Sequence, residues 1–416
     1  MIRVLLFTAN EYPAGVLTFV NQMYAYRDMY KAAGIEITFL TQEENPIKEL
    51  YPIDTDFLPI HRVTQRPYRN PRLSARFYYK VFYAIKKFVW RIKFPYIYLK
   101  NNRVISQYLN EKSFDYVISN SGGYVLSICT QFLKIAERCN VPERIFLSHT
   151  YPSTDRKGIY ERIRGYILDS TIDKYATDFI TVSQYCARKI NEVSGISHKI
   201  DVIYNGIDRK LSPMMREEKR KMLVGDANKN KYIIGMIGTF WEYKGQIYFI
   251  KLIEEIYSRG IDNFVGVIIG GRGDRKYFEK CVQYIENKGL QEYVYIYESI
   301  NDASTYVEAY DTLIMPSIIE SFGLVAVEAM MWKVPVLAFE TGGIPEVVID
   351  GQTGRLVRKY DYFAMADEIC HMMNDSGWHD SLASQGEACW REKFSGRAMN
   401  EEYLKYFMKL GKDKII

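Results

Sequence analysis

The sequence predicts an α/β protein built from two consecutive domains, each a parallel sheet covered by helices on both faces. Three observations lead there. Short apolar runs bounded by turn residues alternate with segments of helical period along most of the chain. That alternation breaks at a charged segment after Asp208 and then restarts. At 416 residues and 48% hydrophobic content, the chain can bury more than one core. Strands that are apolar throughout rather than alternating are those of a parallel sheet buried on both sides.

In order, residues 2–8 read as a strand, 16–33 as an amphipathic helix, and "IEITFLT" (35–41) as a second strand. "DYVISN" (115–120) and "RIFLSH" (144–149) are further strands, with "YVLSICTQFLKIAERC" a helix between them. "ATDFITVS" (176–183) and "KIDVIYNG" (199–206) complete the first series. "RKLSPMMREEKRKMLVGDANKNK" reads as a surface helix and linker. The second series is "YIIGMIGTF" (232–240), "FVGVIIGG" (264–271), "VYIYES" (294–299), "TLIMPS" (312–317) and "VPVLAF" (334–339). From about residue 378 the chain is helical and polar. The expected domains are 1–208 and 209–390, with a helix over 391–416 returning to the first.

Six scattered cysteines without a C-x-x-C pair argue against a zinc site or a disulfide framework and fit a reducing compartment. The start, "MIRVLLFTANEYP", reads as a buried strand and not a signal peptide. No run reaches the roughly 18 apolar residues of a membrane span, so a cytoplasmic protein is expected. Charge is uneven. Residues 1–208 hold 28 Lys+Arg and 20 Asp+Glu (+8), and the remainder 27 and 30 (−3), which gives the net +5. Between Asp56 and Glu111 stand twelve cations and no acid.

Within that window Pro71 and Pro95 bracket an expected helix over about 71–94. Phe77, Tyr78, Val81, Phe82, Ile85, Phe88, Val89 and Ile92 share one arc of about 140° at 100° per residue. Arg76, Lys80, Lys87 and Arg91 lie among the cations opposite. A basic face behind an aromatic-rich apolar face suits a helix lying on the anionic inner surface of a membrane. A packed domain helix with solvated cations reads the same residues differently. Nucleic acid is a poorer partner, because no recognition motif accompanies the charge.

The segment "MPSIIESFGLVAVEAMMWKVPVLAFETGGIPEVV" holds Glu320 and Glu328 eight positions apart. In a parallel sheet, ligands sit beyond the carboxyl ends of strands, where helix N-termini point. "TLIMPS" ends a strand and Gly323 opens the helix that follows. The amides of Phe322, Gly323 and Leu324 would then form an anion site for a phosphate. The two carboxylates, one on either side, are apt partners for vicinal diols. The constellation fits a nucleotide sugar.

Here the sequence resembles the retaining glycosyltransferases of family 4, with their GT-B fold of two Rossmann-like domains facing each other across a cleft. Glu320 and Glu328 in "ESFGLVAVE" match the family's Glu-x7-Glu motif. "VSQYCARKI", "VIYNGID" and "IGTFWEYKG" resemble other family signatures. The resemblance implies that Glu328 holds the ribose and Glu320 the donor sugar, while Lys244 in "EYKG" neutralises the departing diphosphate. It places His149, after "RIFLS", facing the donor sugar, and Gly15 at the first strand-to-helix turn. Two departures stand out. Thr239 occupies the position where the family often has arginine, with Arg272 in "GGRGD" a possible substitute. Ala14 replaces the first of a Gly-Gly pair. Asn205 and Asp208 in "NGID" are read as shaping the hinge.

The implied reaction moves a sugar from a donor such as a UDP- or GDP-sugar to an acceptor hydroxyl with retention. No cofactor or metal is expected, since a helix N-terminus and Lys244 can stabilise the leaving group. A glycan or lipid-linked acceptor at the inner membrane face is expected, in bacterial surface polysaccharide or glycolipid assembly. Alternatives are a non-catalytic partner subunit and a sugar phosphorylase of the same fold. A dinucleotide dehydrogenase is disfavoured, because neither first strand runs into G-x-G-x-x-G.

Overall fold

A computed structural model describes the backbone of residues 1–9, 15–45, 47–60, 77–123, 127–152, 159–210, 212–298, 300 and 302–412. Side chains are described over the same ranges except 77–94, 127, 159–164 and 412. The chain divides into two compact units, Met1–Thr181 with Ala187–Val202 and Val182–Cys186 with Ile203–Ile416.

The first unit holds β1 (Ile2–Thr8), β2 (Ile35–Gln42), β3 (Asp56–Leu58), β4 (Tyr116–Ser121), β5 (Glu143–Ser148), β6 (Asp178–Thr181) and β7 (Ile200–Val202). They form one sheet in the order β3-β2-β1-β4-β5-β6-β7, every pair parallel. The second unit holds β8 (Tyr232–Ile237), β9 (Phe264–Ile269), β10 (Val294–Tyr297), β11 (Thr312–Met315), β12 (Val336–Phe339) and β13 (Gly354–Val357). These also pair in parallel, in the order β10-β9-β8-β11-β12-β13. The central strands β4, β9, β11 and β12 are buried at every residue, which explains the unbroken apolar character of β9 and β12, while β4 ends in the buried polar residues Ser119, Asn120 and Ser121.

Strand order reverses between β1 and β4 in one sheet and between β8 and β11 in the other. Loops leaving the carboxyl ends of two such neighbours turn to opposite sides and leave a crevice between them. The loop after β8 carries Lys244 and the loop after β11 carries Glu320. In the first unit, the corresponding ends carry Thr8 and Asn120, with His149 just after β5.

Several expectations need correction. The helix expected to end at Pro95 runs from Phe77 to Lys112 with Pro95 inside it. Proline's fixed φ is compatible with helix geometry, and burial of Ile105 and Leu109 anchors the continuation. Arg76 lies outside the described residues, as do the side chains of Lys80, Lys87 and Arg91. The helix expected over 16–33 is two, Gly15–Ala25 and Arg27–Ala32. The helix Arg216–Asn228 is not merely a surface element. Lys219 and Arg220 are only 1% and 8% exposed, held inside by Glu308 and Asp311. The short edge strands β3 and β13 escaped the sequence reading.

Close packing under the second sheet yields a test. A methyl group added at Gly235 in β8 would stand 2.0 Å from the ring of the buried Tyr310. Gly235→Ala should cost about 1–3 kcal/mol or more through forced repacking, read as a lower urea midpoint. An unchanged midpoint would contradict this packing.

Candidate active site

The second unit builds its site from three loops at the carboxyl ends of β8, β11 and β12. The loop after β11 carries Glu320 and turns at Gly323, whose φ of +101° begins the helix Leu324–Met331. Glycine adopts that left-handed conformation without the Cβ clash other residues meet. The backbone N–H groups of Phe322, Gly323 and Leu324 make no hydrogen bond among the described residues. They are the free donors of a helix start, where the helix dipole favours an anion.

The Gly-Gly pair after β12 explains itself here. A Cβ on Gly342 (φ +60°) would lie 1.8 Å from the Glu320 carbonyl oxygen, and one on Gly343 2.3 Å from that of Ser321. With no side chain in the way, Gly343 N–H donates to the Glu320 carbonyl at 3.1 Å. Ser183 Oγ donates to the Ser321 carbonyl at 2.6 Å. Ser183 is kept in place because Glu346 accepts from the amides of Gln184 and Tyr185, both at 2.7 Å. Phe322 is buried and stacked on Tyr204 with centroids 5.8 Å apart, with Phe394 edge-on at 5.9 Å. The loop is therefore gripped from both sides.

Lys244 comes from the third loop. Gly245 has φ +78°, and a Cβ there would meet the Pro316 carbonyl at 2.0 Å, so this loop lies directly against the one after β11. Ile318 N–H closes the contact on the Tyr243 carbonyl at 2.7 Å. Lys244 Nζ then donates to Glu320 Oε2 at 2.7 Å. Burial works against the ammonium, but the Glu320 carboxylate outweighs it and holds the Lys244 pKa above its ordinary value.

Glu328 sits in the second turn of the helix with no hydrogen bond or ion pair among the described residues. It keeps some contact with solvent, yet desolvation pushes its carboxyl up to about 7, against a small opposing pull from Lys210. Arg272 is not drawn to Glu320 or Lys244. It pairs with Glu298 and lies over the Phe278 ring at 4.7 Å. Thr239 is exposed, its carbonyl taken by Gln246 Nε2 at 3.0 Å. The described site thus presents Lys244 without a second cation hydrogen-bonded beside it.

In the first unit, His149 is 8% exposed and its Nε2 lies 2.8 Å from Asn120 Oδ1. Asn120 Nδ2 donates to Thr8 Oγ1 at 3.1 Å, which directs its oxygen toward the ring. The arrangement gives Nε2 the proton and leaves Nδ1 as a buried acceptor without a partner among the described residues. Desolvation lowers the imidazole pKa to about 4, so His149 is neutral near pH 7. Gly15 starts the helix after β1. Asp208 accepts from the Gly396 amide at 3.0 Å, a structural role.

Sequence reasoning missed Ser183, Tyr204, Glu346 and Phe394 as supports of the loop. The first two lay in recognised signatures, but nothing in those signatures shows which backbone group they meet. Among the described residues, no group of three or more His, Cys, Asp or Glu is placed to hold a metal ion.

The comparisons with known proteins follow this division. Residues 21–211 match the family model described as Glycosyltransferase Family 4, and residues 216–388 the model described as Glycosyl transferases group 1. Each half of the chain is thus similar to a glycosyltransferase family model, and its two parallel-sheet units are those of the GT-B fold. It is 31% identical over 251 residues to an uncharacterised 41.2 kDa protein in the cps region of Klebsiella pneumoniae, covering 59% of this chain and 64% of the relative. It is 26% identical over 245 residues to the capsular polysaccharide biosynthesis glycosyltransferase CapM of Staphylococcus aureus, covering 57% and 63%. The matched stretches thus span under two thirds of those relatives. The structure of Anabaena Alr3699/HepE in complex with UDP and glucose superimposes with a TM-score of 0.73 at 17% identity, covering 98% of this chain and all of that one. WaaG, a glycosyltransferase involved in lipopolysaccharide biosynthesis, gives 0.63 at 15%, covering 96% and 98%. At these identities the two structures speak to the fold alone.

The raised Glu328 pKa makes a pH prediction. A carboxyl whose folded pKa lies above its unfolded value near 4.5 favours folding below that value. That contribution is lost as pH rises to about 7. Glu328→Gln should therefore be more stable than the parent above pH 7, by on the order of 1–3 kcal/mol, and equal to it below about pH 4.5. Urea unfolding at pH 4.5 and 8 decides it, and a constant difference would contradict the assignment.

Proposed function

We propose that the protein transfers a sugar from a nucleoside-diphosphate sugar to an acceptor hydroxyl with retention of configuration. The observation that carries this reading is the Lys244–Glu320 pair beside three amides unpartnered among the described residues, with Glu328 a turn further along the same helix. In this account the amides and Lys244 receive the diphosphate. Glu328 accepts from the ribose hydroxyls and Glu320 from the donor sugar. The Lys244 ammonium, held by Glu320 in the unliganded site, is shared with the diphosphate as negative charge builds on it. The departing phosphate takes the acceptor proton on the same face of the sugar. No carboxylate nucleophile of the glycoside-hydrolase kind is required. His149, neutral, is assigned to the donor sugar. No cofactor is part of the proposal.

The acceptor is proposed to be a glycan or lipid-linked glycan in bacterial surface polysaccharide assembly. The capsule-region relatives and the basic helix segment before Pro95 support this reading. Among the described residues no helix is long and apolar enough to cross a membrane, so the proposed association is peripheral, at the inner face. The second reading, a non-catalytic partner subunit, is favoured by one observation: Arg272 is tied to Glu298, and among the described residues no other cation joins Lys244.

Two experiments test these readings. Among UDP-, GDP- and ADP-sugars, one should raise stability by roughly 3–4 kcal/mol at large excess and be turned over. Glu320→Ala should lower turnover about 10²–10³-fold. Stabilisation without turnover would favour the partner subunit, and no response to any nucleotide sugar would refute the donor site. Separately, the chain should sediment with anionic vesicles and not neutral ones. Charge reversal at Arg76, Lys80, Lys87 and Arg91 should abolish this, and unchanged sedimentation would refute the assigned face.

A further inference from the structure

The second unit has another cavity, at the opposite end of β11 from Glu320, with a volume of about 410 Å³. Arg209, Arg216 and Lys333 line it against Glu308, Asp311 and Glu387. That lining alone is balanced in charge. The layer behind it is not. Lys219 binds Glu308 at 2.6 Å, Arg220 binds Asp311 at 2.9 Å and Arg391 binds Glu387 at 3.1 Å. Six cations share three carboxylates, a surplus of three positive charges (6 − 3). Asp380, 79% exposed beside His379, offsets at most one of them.

Among the charges that line the cavity the cations are the more exposed, although Glu308, at 29%, lies over the buried Lys219. Glu387 and Asp311 side chains are 13% and 19% exposed, against 38% for Arg209, 49% for Arg216 and 58% for Lys333. What the cavity shows to solvent is therefore cationic. Its donors are not used up. Arg209 spends Nε on the Met331 carbonyl and Nη2 on Glu387, and Arg216 spends Nε on the Glu308 carbonyl and Nη2 on Asp311. Nη1 of both guanidiniums makes no hydrogen bond among the described residues, and Lys333 stands 3.3 Å from its carboxylate. Arg209 is held between the Trp332 and Trp390 rings at 5.4 and 5.3 Å, so its fork is oriented before any ligand arrives.

Two pre-set guanidiniums and an ammonium around a small concavity match a tetrahedral oxyanion better than any neutral ligand. We propose that this cavity is a phosphate-binding site, separate from the donor site. Its occupant is inorganic phosphate or the phosphate of a small phosphomonoester. The site has a route to the donor loop. Asp311 precedes β11, whose far end leads to Glu320, and the Met331 carbonyl ends the helix that Gly323 begins.

The test uses the full chain carrying Lys244→Gln, which removes the donor-site cation and weakens that site's hold on phosphate. Inorganic phosphate, glucose 1-phosphate and a nucleoside monophosphate are titrated by calorimetry. At least one should bind saturably, and the tightest identifies the source. Adding Arg216→Gln or Lys333→Gln should each weaken that binding about tenfold or more. Urea unfolding confirms that the variants are folded; if Arg216→Gln fails to fold, the exposed Lys333→Gln decides alone. Unchanged affinity in the variants, or no saturable binding below about 10 mM, overturns the proposal.

Discussion

The site depends on the absence of two side chains. Gly342 and Gly343 bring the segment after β12 so close to the loop after β11 that a methyl group on either would overlap a carbonyl oxygen. That approach lets the Gly343 amide hold the Glu320 carbonyl, while Ser183 holds the next one. With both carbonyls bonded, the amides of Phe322, Gly323 and Leu324 are left without partners among the described residues. Orphan donors at a helix start are costly when buried and useful when a ligand supplies the acceptor. Packing and chemistry are one arrangement here.

Electrostatics follow from it. Glu320 and Glu328 sit on the same short segment yet take different charge environments. Lys244 bonds directly to Glu320, whereas Glu328 meets no ion-pair partner among the described residues and its pKa rises under desolvation to about 7. A carboxylate without a partner in the apo protein is ready for hydroxyl donors, because binding removes an unmet demand and breaks no bond.

Much of this was legible in the sequence because it rests on local pattern. Unbroken apolar runs gave the buried parallel strands, and the restart after the charged linker gave the second domain. The Glu-x7-Glu spacing placed both carboxylates around a helix start. What stayed hidden rests on partners distant in the chain. Nothing near Lys219 and Arg220 tells that Glu308 and Asp311 will draw them inside. Pro95 is a sound stop signal locally, overridden by the packing of Ile105 and Leu109 further on. Glu346 looks like an ordinary helix residue until it meets the amides of Gln184 and Tyr185, 162 and 161 positions away. The strands β3 and β13 are three and four residues long, too short for period alone to separate from loop.

The most direct measurement is a crystal structure with a non-hydrolysable UDP- or GDP-sugar analogue bound. The account predicts diphosphate oxygens on the amides of Phe322, Gly323 and Leu324, ribose hydroxyls on Glu328 and the sugar on Glu320. An analogue bound at full occupancy elsewhere, with those amides still unpartnered, would contradict it.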